Sequence, residues 1–197
     1  MARTIRKPAH ERREQILAEA LRLFARQGMA NVSTRQIAKA VGISQPSLYA
    51  HFRSRDEIAI EVARRAFLKL RNRMEAVSSS NHSARERLRL MGKEYVRFGL
   101  EESDAYRMAF ILERRNLTDE DRIVIHQAGM HGFSIVQNFF QDELDGDDRT
   151  TAAAAQSAWA SMHGLVSLLL TRPDFPWVEQ EALIETHLDR LCRDFLG

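Results

Sequence analysis

A chain of 197 residues, 44% hydrophobic and 28% charged, has the composition of a globular protein and the length to bury one or two cores. Its single cysteine, Cys192, excludes an internal disulfide, and no CxxC or Cys/His spacing suggests zinc; no metal or cofactor is expected, and a reducing cytoplasm is the expected compartment. The formal net charge of +2 hides an asymmetry, because residues 1–75 carry 16 Lys+Arg against 7 Asp+Glu and residues 76–197 carry 13 against 20. A basic end of this kind draws a polyanion by steering and counterion release, while the acidic end stays off it. The opening MARTIRKPAHERRE is basic and polar with no apolar stretch behind it, and no apolar run is long enough to span a bilayer, so neither export nor membrane insertion is expected.

Apolar residues recur at spacings of three and four throughout, and no alternating β-branched run occurs, so the expected fold is all-α with about nine helices. The first helix, about 9–26, sets Ile16, Ala20, Leu23 and Phe24 on one face and ends at Gly28. A second begins at Ser33, whose spacing to Gln36 is that of a capping box, turns Ile37, Ala38 and Val41 inward and stops at Gly42. Ser44 can cap a third, running to about 51 with Pro46 in its first turn and Leu48 and Phe52 facing the interior. A fourth, about 55–77, carries Ala63, Ala66, Phe67, Leu70 and Met74 on one stripe. Ser78–His82 is a break, and Ser83 with Glu86 caps a fifth helix bearing Leu88, Met91, Tyr95 and Phe98. A short helix from 104 to about 114, a long one after Thr118, and two more over about 149–170 and 178–195 complete the chain.

Residues 33–52 form two helices joined by a glycine turn, a unit that can set its second helix in the DNA major groove. The outward residues of that helix are short or planar. Gln45 can pair with an adenine edge, the Pro46 ring can touch a thymine methyl, and Ser47 can bond to either strand. Ser44 sits at the cap beside them, and Arg35 and Thr34 stand where the groove opens, suited to a guanine and a phosphate. Tyr49, His51 and Arg55 suit phosphate contacts, and Arg3, Arg6 and Lys7 supply a basic arm.

With Phe24, Gly28, the Thr34-Arg35-x-Ile37-Ala38 opening, Gly42 and the Ser47-Leu48-Tyr49-x-His51-Phe52 run, residues 9–58 resemble the DNA-binding domain of the tetracycline-repressor (TetR) family of bacterial transcriptional regulators. Arg55 departs from the lysine usual in that family. The resemblance implies an N-terminal DNA-binding domain over 1–56 and a helical ligand-binding and dimerisation domain over 57–197. Trp159-x-x-x-His163-Gly164 resembles a pattern in the C-terminal domains of one subset of the family.

Within the second half, an aromatic and methionine-rich set, Phe67, Tyr95, Phe98, Tyr106, Phe110, Met130, Phe133, Trp159, Met162 and His163, is the candidate lining for an apolar or planar ligand, with ordinary core packing as the competing role of each. Gly164, Leu165 and Leu168, with Leu188 and Leu191, form the candidate seam of a homodimer through the last two helices. His126 and His131 are five apart and do not share a face as metal ligands would. No nucleophile, base and orienting group occur together, so an enzyme is not expected. The expected function is a homodimeric repressor on palindromic double-stranded operator DNA, released by a small effector; a DNA-binding regulator governed by a protein partner, or by none, is the alternative.

Overall fold

The structure, a computed structural model, describes residues 8–111 and 117–197. The basic arm at residues 3–7 and the expected helix end at 112–114 lie outside the described residues. Among those described there are nine α-helices and no strand. They are α1 (Ala9–Gln27), α2 (Thr34–Val41), α3 (Gln45–Tyr49), α4 (Arg55–Ser78), α5 (Ala84–Glu101), α6 (Ser103–Tyr106), α7 (Asp119–Glu143), α8 (Asp148–Thr171) and α9 (Gln180–Leu196). A 3-10 turn, Met29–Asn31, follows α1, and α6 runs on into a π-helical turn at Arg107–Ile111.

The helix ends obey local chemistry. Ser33 Oγ accepts from the Gln36 amide at 3.2 Å while Gln36 Oε1 accepts from the Ser33 amide at 2.8 Å, closing the capping box that starts α2. Gly42 ends α2 at φ +75°, ψ +35°, and the bonds Gly42 N→Lys39 O and Ile43 N→Ala38 O make a Schellman turn. A side chain there would meet nothing within 4 Å, so glycine is required by the backbone rather than by space. Ser44 Oγ takes the Ser47 amide and starts α3. That helix is shorter than expected, because His51 N turns to Leu48 O and tightens the last turn. Ser83 accepts from the Glu86 amide, and Thr118 and Asp121 cap α7 reciprocally.

Packing divides the chain into two compact units. The first comprises Met1–Ala66 and Asp104–Ile125, the second Phe67–Ser103 and His126–Gly197. In the first, Ile16, Ala20, Leu23 and Phe24 of α1 meet Ile37 and Ala38 of α2, Leu48 of α3, Phe52, and Ile58 and Val62 of α4. Met108, from the π-helical turn, completes this core from a distant part of the chain.

In the second unit α5 lies against α8 and α9. Gly92 allows it: a Cβ there would stand 2.6 Å from Leu188 Cδ2 and 3.2 Å from Met162 Sδ. Phe140 packs edge-on to Phe139 and Phe195. Arg89 and Lys93 of α5 pair with Glu185 of α9, and Lys93 reaches Glu181 as well. These pairs are partly exposed and contribute about 0–1 kcal/mol each, so apolar packing and not charge holds α9 in place.

The residues of the expected dimer seam divide into two sets. Leu188 of α9 is fully buried, and Leu191 of α9 and Leu165 of α8 nearly so, inside the protomer. That burial leaves them little surface to offer a second copy. Gly164 has open space at its Cβ position and Leu168 is 48% exposed, so these two do lie on the outer face of α8. Sequence periodicity found two apolar stripes but could not tell which one the protomer itself consumes.

Candidate nucleic-acid interface

The unit formed by α2 and α3 keeps its large apolar side chains inside and polar ones at its surface. Leu48 and Phe52 are buried, whereas Arg35, Ser44, Pro46 and Tyr49 are exposed and Thr34, Gln45, Ser47, His51 and Arg55 are half-buried. The nine candidate residues thus all keep some surface, and the apolar residues between them anchor the two helices from behind.

Three of them are joined. Gln45 Nε2 donates to Thr34 Oγ1 at 3.2 Å and to Tyr49 Oη at 3.4 Å, and the two hydroxyls lie 3.3 Å apart. The bonds from Thr34 and then Gln45 hold the Tyr49 phenol below its ordinary pKa, because they favour the phenolate oxygen. Arg55 is otherwise engaged: its Nε and Nη2 donate to Asp56 Oδ1 at 2.9 and 2.8 Å, and Nη1 approaches the Ala30 carbonyl at 3.5 Å. A phosphate contact from Arg55 therefore means exchanging Asp56 for a phosphate oxygen, a modest step for a partly exposed pair.

Sequence reasoning missed Arg13. Its Nη1 donates to the His51 carbonyl at 2.6 Å and its guanidinium lies 3.9 Å from the centre of the Phe52 ring, tying α1 to the end of α3. Nothing in the spacing of α1 distinguishes Arg13 from Arg12, so no local signal could have found it.

The candidate lining residues are distributed differently from expectation. Tyr106 and Phe110 belong to the first unit, where their rings stand 4.9 Å apart, while the other eight belong to the second. Met130 and Trp159, expected on inward faces, are 43% and 40% exposed. Trp159 covers Phe133 edge-on at 6.1 Å and leans on His163 at 5.6 Å, leaving its other side outside. Phe67, Tyr95, Phe98 and Met162 are buried. His163 is half-buried, its Nδ1 3.3 Å from Tyr95 Oη and its Nε2 3.3 Å from Ser167 Oγ; burial lowers its pKa and favours the neutral ring. Among the described residues no group of three His, Cys, Asp or Glu side chains could hold a metal ion, and no helix is long and apolar enough to cross a membrane.

Comparisons with known proteins agree with this architecture. Residues 16–62 match the family described as "Bacterial regulatory proteins, tetR family", and residues 88–191 match "Tetracyclin repressor-like, C-terminal domain". The regulator AcrR of Shigella flexneri is 40% identical over 62 residues, which are 32% of this chain and 29% of that protein. The transcriptional activator FasR of Mycolicibacterium smegmatis is 31% identical over 105 residues, 53% of this chain and 48% of that one. The chain thus spans less than half the length of these curated relatives. Among solved structures, the TetR-family regulator PfmR of Thermus thermophilus superposes with a TM-score of 0.76 at 21% identity, covering 92% of this chain and 95% of its own. The regulator FadR of Bacillus subtilis, solved with stearoyl-CoA, does so with a TM-score of 0.77 at 19% identity, covering 91% and 97%. With its helix-turn-helix unit and more than half its length matched by profiles of one family, the chain belongs to the TetR family of bacterial regulatory proteins.

Proposed function

We propose that this chain is a cytoplasmic, homodimeric repressor that binds a palindromic operator in double-stranded DNA and leaves it when a small, largely apolar effector binds. The observation that carries the reading is the division of labour in α3. Leu48 is committed to the core while Gln45, Pro46 and Ser47 stand outside it at the end of the helix that enters a major groove first. Thr34, Arg35 and Ser44 stand beside these readers, and Tyr49, His51 and Arg55 serve the phosphates.

A single helix of five residues makes few base contacts, so the function needs two copies on half-sites about 34 Å apart. The pairing face is the outer side of α8, where Ala153, Ser157, Ala160, Gly164 and Leu168 recur at spacings of four and three and let a second helix approach closely. This face replaces the buried leucines of α9.

Effector control is supported by the aromatic character of the second unit. Tyr95 and His163 offer the polar groups among Phe67, Phe98, Phe133, Trp159 and Met162, a composition suited to a molecule with a long apolar part. FadR, of the same fold, holds a fatty acyl-CoA. Release requires that the effector bind the DNA-incompetent form more tightly than the competent one.

The test is a binding and reporter experiment with the full chain and genomic DNA flanking its own gene. Specific retardation, lower transcription from that promoter, and release by fatty acyl-CoAs or related apolar compounds are expected. Binding with no sequence preference overturns the operator; raised transcription overturns repression.

A further inference from the structure

We propose that a second copy of the chain completes the effector site, by laying its own α8 over the open side of Trp159, so that a lone protomer carries an unfinished apolar site. This rests on the apolar-effector reading of the second unit and says what closes it. Trp159 stands at a border on α8. Phe133 of α7 meets its indole edge-on at 6.1 Å and His163, one turn on, lies 5.6 Å away, yet 40% of the residue stays in solvent. On the flank away from α7, Gln156, one turn back, and Ala160, next in sequence, are exposed as well. Beyond them the outer face continues through Ala153, Ser157, Gly164 and Leu168.

What covers this face follows from its charge. In a chain that is 28% charged, residues 150–171 contain no Asp, Glu, Lys or Arg, although Ala153, Ser157, Ala160 and Leu168 are exposed. Depletion of charge marks the centre of a protein–protein interface. An uncharged face can meet its own copy about a two-fold axis without opposing like charges, and Gly164, with open space at its Cβ position, lets a helix backbone come close. Successive residues are about 100° apart around a helix, so a helix seated on Ala160 and Gly164 lies within reach of the indole's open side. Pairing and effector binding then become linked. An apolar molecule against Trp159 meets a wall open to water on the protomer and a closed one on the dimer. By reciprocity, the factor that pairing adds to effector affinity is the factor that effector adds to pairing. Release from the operator therefore proceeds with the dimer tightened rather than split.

The experiment uses the full chain with Trp177→Phe, which leaves Trp159 alone of the two tryptophans, and stearoyl-CoA as the probe. Trp159 emission and mass by sedimentation are followed together through a dilution series. Leu168→Arg gives a second route to the monomer, from a position about two and a half turns along α8 from Trp159, so that misfolding of the variant leaves the dilution series informative. The dimer is expected to emit at shorter wavelength than either monomer. The monomers are expected to bind the probe about tenfold more weakly, within the usual range of coupling between sites, and the probe to tighten the dimer. Emission that holds constant while the mass halves, equal probe affinity in the two states, or a probe that loosens the dimer would overturn the proposal and leave an apolar effector standing. A chain that is monomeric at every concentration would overturn the pairing face, and one that takes up no stearoyl-CoA in either state would overturn the apolar-effector reading; this proposal falls with each.

Discussion

Replacing Arg13 by alanine separates a residue that holds the reading helix from one that touches DNA. In the structure its guanidinium makes a 2.6 Å bond to the His51 carbonyl and stacks 3.9 Å from the Phe52 ring centre. A hydrogen bond from a charged donor contributes roughly 1.5–3 kcal/mol. A cation over an aromatic face adds about 0.5–2 kcal/mol depending on desolvation. Because one side chain makes both contacts they do not add, and Arg13 is only half-buried, so the expected net loss is about 1–3 kcal/mol. For a chain of this size each kcal/mol lowers the melting temperature by roughly 2–4 °C. Arg13→Lys keeps the charge but not the planar face, and should recover less than half of the loss. The assay is thermal unfolding followed by circular dichroism, paired with operator titrations at several salt concentrations. Affinity should fall for Arg13→Ala with the slope of log K against log salt unchanged. If melting is unaffected and the slope falls by about 0.9, the loss of one phosphate contact, then Arg13 binds DNA and the structural argument is wrong.

Leu188→Ala should cost about 2–5 kcal/mol as a core deletion, whereas Leu168→Arg should leave the protomer folded and halve the mass measured by light scattering; an intact dimer in the second variant would rule out the α8 face. Gly42→Ala should cost about 1–2 kcal/mol through its left-handed backbone alone, and equal melting temperatures for the two proteins would contradict that φ. Burial lowers the His163 pKa from 6.5, so above that value neither the folded nor the unfolded state binds a proton at this group. As pH falls below 6.5 the unfolded chain takes a proton first, and stability is lost until the folded pKa is reached. The drop in melting temperature between pH 7.5 and 5.5 should therefore shrink in His163→Gln, and an undiminished drop would place the titration elsewhere.

What could be read from the sequence was chiefly what is decided within a few residues. The Ser33–Gln36 box, the Gly42 turn and the Ser44 cap are each local hydrogen-bond problems with one economical solution, and they place α2 and α3 without help from the rest of the fold. The faces of α1 follow in the same way from the spacing of Ile16, Ala20, Leu23 and Phe24. Long-range packing was not legible. Leu168 and Leu188 have the same chemistry, and only the position of α5, set by Gly92, leaves one outside and one inside. Tyr106 and Met108 read as part of the second half by position, yet they belong to the first unit. The side-chain network of Gln45 was equally hidden, since Thr34 and Tyr49 become neighbours only once the two helices cross.

The contribution of Met108 to the core of the first unit carries a timing consequence. A ribosome that has made α1 to α3 and the start of α4 has not yet supplied every side chain which that core encloses. About forty further residues must be added before Met108 exists, a delay of about 2–8 s at bacterial synthesis rates of roughly 5–20 residues per second. Until then the core around Ile16, Phe24, Leu48 and Phe52 lacks one of its members, and α2 and α3 have no finished support. The core of the first unit is thus complete only after α5, which belongs to the second unit, has already been made.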